Sequence, residues 1–207
     1  MKYAKLLTLT LLLANAGAWA DGPYVVGEVS HSKANLGRST DDAALTAAGA
    51  TGLSSSDKGS GNQWRLQLGY QFNPNFALEA GYIDFGKADY SASYTGGSAH
   101  GSVKAGGFDL AALGIVPLGD NVSLFGKAGI VAAHTKSSLS ALAPAAAASG
   151  SQSADTVSPL LGLGASYKIS NTSDLRAEYD HVSDLGKSNK TGKLSSDMLS
   201  VGLAYHF

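Results

Sequence analysis

Apolar and polar residues alternate one for one in segments of about ten residues, and one such segment, SVGLAYHF, runs into the last residue. Leu199, Val201, Leu203, Tyr205 and Phe207 share one face of an extended strand; Met198, Ser200, Gly202, Ala204 and His206 share the other. A helix repeats its faces about every 3.6 residues and cannot use this pattern. Chain ends usually fray into polar residues, so alternation kept up to Phe207 implies a paired strand.

The pattern recurs in YVVGEVSHS (Tyr24–Ser32), QWRLQLGYQF (Gln63–Phe72), FALEAGYIDF (Phe76–Phe85) and GFDLAALGIV (Gly107–Val116). It returns in VSLFGKAGIVA (Val122–Ala132), PLLGLGASYKI (Pro159–Ile169) and DLRAEYDHVS (Asp174–Ser183). With Met198–Phe207 these predict eight strands. Asn73–Asn75, Pro117–Asn121 and Ser170–Ser173 have the chemistry of short turns, whereas long polar connectors are expected over roughly residues 33–62, 86–106, 133–157 and 184–197. Within them Asp41–Ala50 is read as a short surface helix and the low-complexity run Ala141–Ser151 as mobile loop. Strict alternation of short and long connections suits a membrane barrel with short periplasmic turns and long outer loops.

The first twenty residues are a separate signal. Lys2 and Lys5 precede an apolar run too short to span a bilayer, and Ala18-Trp19-Ala20 forms an A-x-A cleavage site. The expected division is a cleaved signal peptide at 1–20 and a barrel domain at 21–207. Export, aromatic strand ends and a terminal strand paired to its last residue together favour lipid, over the core of a secreted sandwich, as the medium the apolar faces meet. In a soluble sandwich they would point inward; in a membrane barrel they point out to lipid. Aromatics at strand ends (Trp64, Tyr70, Phe72, Phe76, Tyr82, Tyr167, Tyr179, Tyr205 and Phe207) fit interfacial girdles. The inward face then carries Glu28, Arg65, Glu79, Asp109, Lys127, Lys168, Arg176, Glu178 and Asp180, with acids and bases nearly balanced. An eight-stranded interior is about wide enough for its own side chains, so these charges should pair and plug the lumen. The abundant Gly and Ala make room for them.

NPNFALEAGYIDFG (Asn73–Gly86) and VSPLLGLGASYKIS…LRAEYDHVSDLG (Val157–Gly186) resemble the OmpA transmembrane-domain family of small outer-membrane β-barrels. The similarity runs from about Pro23 to Phe207. Ser200–Phe207 (S-x-G-x-x-Y-x-F) is similar to the β-signal read by the outer-membrane assembly machinery. By this resemblance Glu79, Lys127 and Glu178 match the family's luminal ion-pair network. Leu113 stands where the family tends to carry a basic residue in its fourth strand, so the same gate is not implied. The chain stops at the barrel, so a tether to the cell wall is not expected.

The expected function is a structural or surface-contact barrel, extending to adhesion or slow solute passage. Its expected partners are outer-membrane lipids, lipopolysaccharide and an extracellular ligand of the outer loops; a monomer is expected, and the net charge of −1 gives no reason to expect nucleic acid. The runner-up is a lipid A deacylase-like acyl hydrolase. Its nucleophile would be Ser183, its base His181 and its orienting carboxylate Asp197, all on the lipid face by parity. No catalytic or cofactor-binding residue is assigned. With no Cys, and with His31, His100, His134 and His206 lacking ligand spacing, no metal is expected. The G-x-G of Gly162–Gly164 is read as luminal spacing rather than a phosphate cradle.

Overall fold

The computed structural model describes residues 22–34, 46–47, 49–58, 62–143, 146–185 and 194–207. The expected signal segment Met1–Ala20 lies outside them, as does most of the expected helix at Asp41–Ala50, of which residues 46–47 are helical. Among the described residues the elements are β1 (Gly22–Ala34), β2 (Ser54–Lys58), β3 (Asn62–Asn73), β4 (Phe76–Tyr94), β5 (Gly97–Pro117), β6 (Val122–Ala143), β7 (Ala146–Lys168), β8 (Ser173–Leu185) and β9 (Leu194–His206).

Eight of these strands pair antiparallel in a closed ring, β1-β3-β4-β5-β6-β7-β8-β9, and β9 pairs back onto β1. The eight predicted strands are all present in it, while β2 pairs outside it with the distal part of β4. The terminal octet is held on both sides. Val201 lies opposite Val29 and Ala177, and Phe207 N–H donates to the Pro23 carbonyl at 3.2 Å.

Following register partners around the ring, Tyr24 meets Gly69, Glu79, Ala111, Gly129, Leu160, Val182, Ser196 and then Ala34. The path returns to β1 ten residues beyond its start. With a rise of about 3.3 Å and a strand spacing of about 4.8 Å, that offset inclines eight strands by roughly 40° to the barrel axis.

One end of the ring carries only tight connections. Asn75 N–H donates to Asn73 Oδ1 at 2.9 Å, and Ile115 N–H to the Asn75 carbonyl at 2.8 Å. The other end differs from expectation. Residues 86–106 and 133–157 are not long loops: β4 and β5 run on to a two-residue turn at Thr95-Gly96, and β6 and β7 run to Ala143 and from Ala146. Most of Ala141–Ser151 is therefore strand. On the β6–β7 hairpin beyond Thr135 both faces meet water, so backbone pairing there needs no apolar alternation, whereas on β4–β5 Tyr90, Ala92 and Ala99 form a small buried cluster with Leu53 and Tyr94. Ser102 and Ser138 hydroxyls meet across this sheet at 2.9 Å.

The apolar face points out all round. Leu163 is 70% exposed and Leu199 65%, while Glu79 and Asp180 are fully buried. Aromatics gather at two heights. Phe72 lies 5.0 Å from Tyr70 and 5.6 Å from Phe76 near the short turns, with Tyr205 and Phe207 5.4 Å apart. Trp64, Tyr82 and Phe108 form the other belt, at 5.6 and 5.3 Å. From Trp64 to Phe72 is roughly 26 Å of strand, or about 20 Å along the tilted axis, close to the height of a membrane barrel's apolar band.

Candidate functional site

The inward parity of six strands converges on a charged layer. Lys127 Nζ lies 2.6 Å from Glu178 and 3.0 Å from Glu79; Arg176 lies 2.5 Å from Glu79 and 3.0 Å from Glu178. Two bases and two acids thus close a ring of alternating charge. Arg65 joins it through Glu178 at 2.8 Å and also reaches Asp180 at 2.6 Å and Glu28 at 3.3 Å. Neutral donors extend the layer. Tyr24 donates to Glu79 at 2.8 Å and Gln67 Nε2 to Asp109 at 2.5 Å, while the Arg176 guanidinium lies 4.4 Å from the Phe125 ring centroid. Charges this deeply desolvated persist only when paired and hydrogen-bonded.

Register explains the space. Gly202 lies opposite both Glu28 and Arg176, Gly162 opposite both Lys127 and Asp180, and Gly164 opposite Glu178. A Cβ on Gly202 would stand 2.6 Å from Glu28 Cγ, and one on Gly162 would collide with Asp180 Oδ1. The expectation that glycine makes room for the charged side chains holds at Gly162 and Gly202, whereas a Cβ on Gly164 would collide with the Phe125 ring.

Apolar layers close the lumen on either side. Toward the long hairpins Ile83, Phe85, Val131, Leu160, Val182 and Met198 pack together. Toward the short turns Val26, Ala77, Leu113 and Phe125 do the same. Leu113, inward and buried, is part of this second layer. Lys168 departs from the expected list: it is half-buried at the short-turn mouth, so the buried bases are Arg65, Lys127 and Arg176 against Glu28, Glu79, Asp109, Glu178 and Asp180. The balance expected from sequence becomes an excess of acid. Gln67 and Tyr24 were missed because parity marks a face but not which neutral residues on it reach a charge, and Gln63, which accepts from Ser30 and donates to the Phe85 carbonyl, was missed likewise. The alternating Gln63, Arg65 and Gln67 was the available signal.

The expected acyl-transfer alternative is half assembled. Asp197 Oδ1 lies 2.7 Å from His181 Nδ1 and accepts from the Tyr179 hydroxyl at 2.9 Å, on the outward face. Among the described residues no hydrogen bond joins Ser183 to His181. The β8–β9 register slips between Val182 and Leu185, with Asp184 at φ 55, and this bulge disrupts the strand spacing at Ser183. A nucleophile without its base is not acyl-transfer machinery. His206 is also engaged, at 2.9 Å from Asp174 and stacked on Tyr24 at 5.0 Å, and His134 lies 2.5 Å from Asp155. Among the described residues no cluster of His, Asp or Glu is arranged to hold a metal ion.

Comparison with known proteins agrees with this architecture. Neisserial surface protein A superposes with a TM-score of 0.53 over 90% of this chain and 97% of its own, at 19% identity. The Escherichia coli outer membrane protease OmpT gives 0.54 over 90% and 97%, at 9% identity. Both likenesses concern the fold alone. A Coxiella burnetii protein named only as uncharacterized is 28% identical, covering 90% of this chain and 85% of its own length. Outer membrane protein A of Salmonella typhi is 32% identical over 67% of this chain, which spans 38% of that relative. The model of the OmpA-like transmembrane domain matches residues 30–207. With its outward apolar band and closed ring of strands, the chain belongs to the OmpA-like transmembrane domain family and resides in the cell outer membrane.

Proposed function

We propose that this protein is a structural and surface-contact barrel, which leaves the inner membrane on a signal peptide cleaved after Ala20 and displays its long hairpins outside the cell. The observation that carries this reading is the filled lumen: a closed ring of charge, Lys127–Glu178–Arg176–Glu79, lies between two apolar layers. Such an interior anchors a display surface and passes solute slowly at most. The barrel acts as a monomer without catalysis, binds no nucleic acid, contacts surrounding lipid and lipopolysaccharide, and offers its hairpin tips to an extracellular ligand in an adhesive role.

Planar-bilayer conductance tests it. Refolded protein is expected to show rare, small openings, unchanged when the hairpin is shortened between Lys87 and Lys104, because the block lies within the membrane. A steady ohmic current would show a water-filled pore and overturn the reading. The terminal segment Ser200–Phe207 is proposed to engage the outer-membrane assembly machinery. Deleting Phe207 should lower the amount of heat-modifiable barrel in outer-membrane fractions while leaving export intact. Equal amounts in deletion and parent would contradict that role.

A further inference from the structure

Beyond the aromatic belt of Trp64, Tyr82 and Phe108, the outward face turns polar and three lysines stand in line. Lys87 lies opposite Lys104, and Lys104 opposite Lys136. A bulge brings the first of them into the row. The β4–β5 register shifts between Asp84 and Lys87, Gly86 takes φ 72, and Asp84 Oδ1 accepts from Gly86 N–H at 2.6 Å. The extra residue reverses the parity of β4, so odd-numbered Lys87 faces outward where even-numbered Tyr82 did.

Directly opposed side chains on one face stand about 4.5–5.5 Å apart at Cβ, where like charges destabilise the pair. Lys87 is relieved by Asp89 at 2.5 Å. Lys104 and Lys136 are exposed and form no ion pair among the described residues. Among the described residues the acids nearby have other partners: Asp89 pairs with Lys87, Asp155 with His134, and Asp84, opposite Gly106, accepts from Gly86 N–H. Two adjacent, unneutralised ammonium groups on an open sheet face constitute a standing attraction for a compact dianion.

Their height and setting indicate its source. Lys104 is four residues beyond Phe108, about 13 Å of strand and roughly 10 Å along the axis. Lysine stems let the ammonium groups reach down to the headgroup zone. The site opens sideways rather than into a cavity, so its occupant arrives from the leaflet around the barrel. A phosphodiester headgroup carries one negative charge, whereas a phosphate monoester carries about 1.5 to 2, the better match for two neighbouring lysines.

We propose that Lys104 and Lys136, flanked by Lys87, form a lateral clamp for the phosphate monoesters of lipopolysaccharide in the outer leaflet. This rests on the orientation adopted under Proposed function. The test uses the mature barrel refolded in zwitterionic detergent and titrated with fluorescent lipopolysaccharide. The double variant Lys104→Gln/Lys136→Gln is expected to bind about 30-fold more weakly, from the usual contribution of two lysines at an anionic surface. Lipopolysaccharide stripped of its monoesters should bind the parent about as weakly, and Lys168→Gln at the opposite mouth should change nothing. Phosphatidylglycerol, with one charge per headgroup, should separate parent from double variant clearly less than lipopolysaccharide does. Undiminished binding by the double variant, or an equal loss toward phosphatidylglycerol, overturns the proposal. The heat-dependent gel shift of the same samples reports barrel formation separately. Lost binding with that shift intact therefore concerns the lysines alone, and a parent showing no shift overturns the barrel reading and the clamp with it.

Discussion

Replacing Glu178 with Ala is expected to destabilise the barrel by about 3–5 kcal/mol, the usual result of removing one partner from a buried ionic cluster. Glu178 is the acid that touches all three buried bases: Arg65 at 2.8 Å, Lys127 at 2.6 Å and Arg176 at 3.0 Å. Without it, Arg65 keeps Asp180 and Glu28, while Lys127 and Arg176 crowd onto Glu79. Glu28→Gln should cost much less, since among the described residues that carboxylate pairs with Arg65 alone, at 3.3 Å. Urea unfolding of both variants in phospholipid vesicles measures the difference. Equal costs would show that Glu178 is not the hub of the layer.

Leu163→Arg is expected to cost about 2–4 kcal/mol through a different cause, a charge forced into the apolar band at mid-depth. Leu163 is 70% exposed and pairs with Gly126 and Tyr179 on the outward face. Its neighbour Gly162 points inward, where Arg would collide with Asp180 rather than meet lipid. The two variants therefore respond differently to the bilayer: thinning it should soften the Leu163→Arg penalty and leave that of Gly162→Arg unchanged. The same unfolding assay in short-chain and long-chain lipid separates them. A Leu163→Arg protein as stable as the parent would reverse the assigned faces.

Where a strand borders both lipid and lumen, its faces were legible in the sequence, because two unlike media impose period-two alternation. Trp64, Leu66 and Leu68 point out and Arg65 and Gln67 point in, as their parity requires. The luminal charges followed from the same rule. Lys168 did not, because parity gives the face but not the depth, and that residue lies at the mouth. Beyond the membrane the contrast between media disappears. Ser137, Ser138 and Ser151 carry no pattern, and the hairpins containing them were read as loops. The bulge at Asp84–Lys87 was equally hidden, since one inserted residue exchanges the faces without altering composition. Hence the lysine row, drawn from three strands and dependent on that bulge, could not be read from spacing. His181 and Asp197 were brought together as parity suggested, whereas the second bulge disrupts the spacing at Ser183.

The pairing of β1 with β9 also governs when this fold can come into being. Tyr24 and His206 are register partners although nearly the whole chain separates them, so the contact that closes the ring is also the most non-local one. Until it forms, every intermediate exposes two unpaired strand edges, each a template for adhesion to another chain. Non-local pairing of this kind is intrinsically slow because the loop must be closed before the contact rewards it. The ring therefore cannot close strand by strand as the chain is synthesised, because its last pairing waits for the final strand.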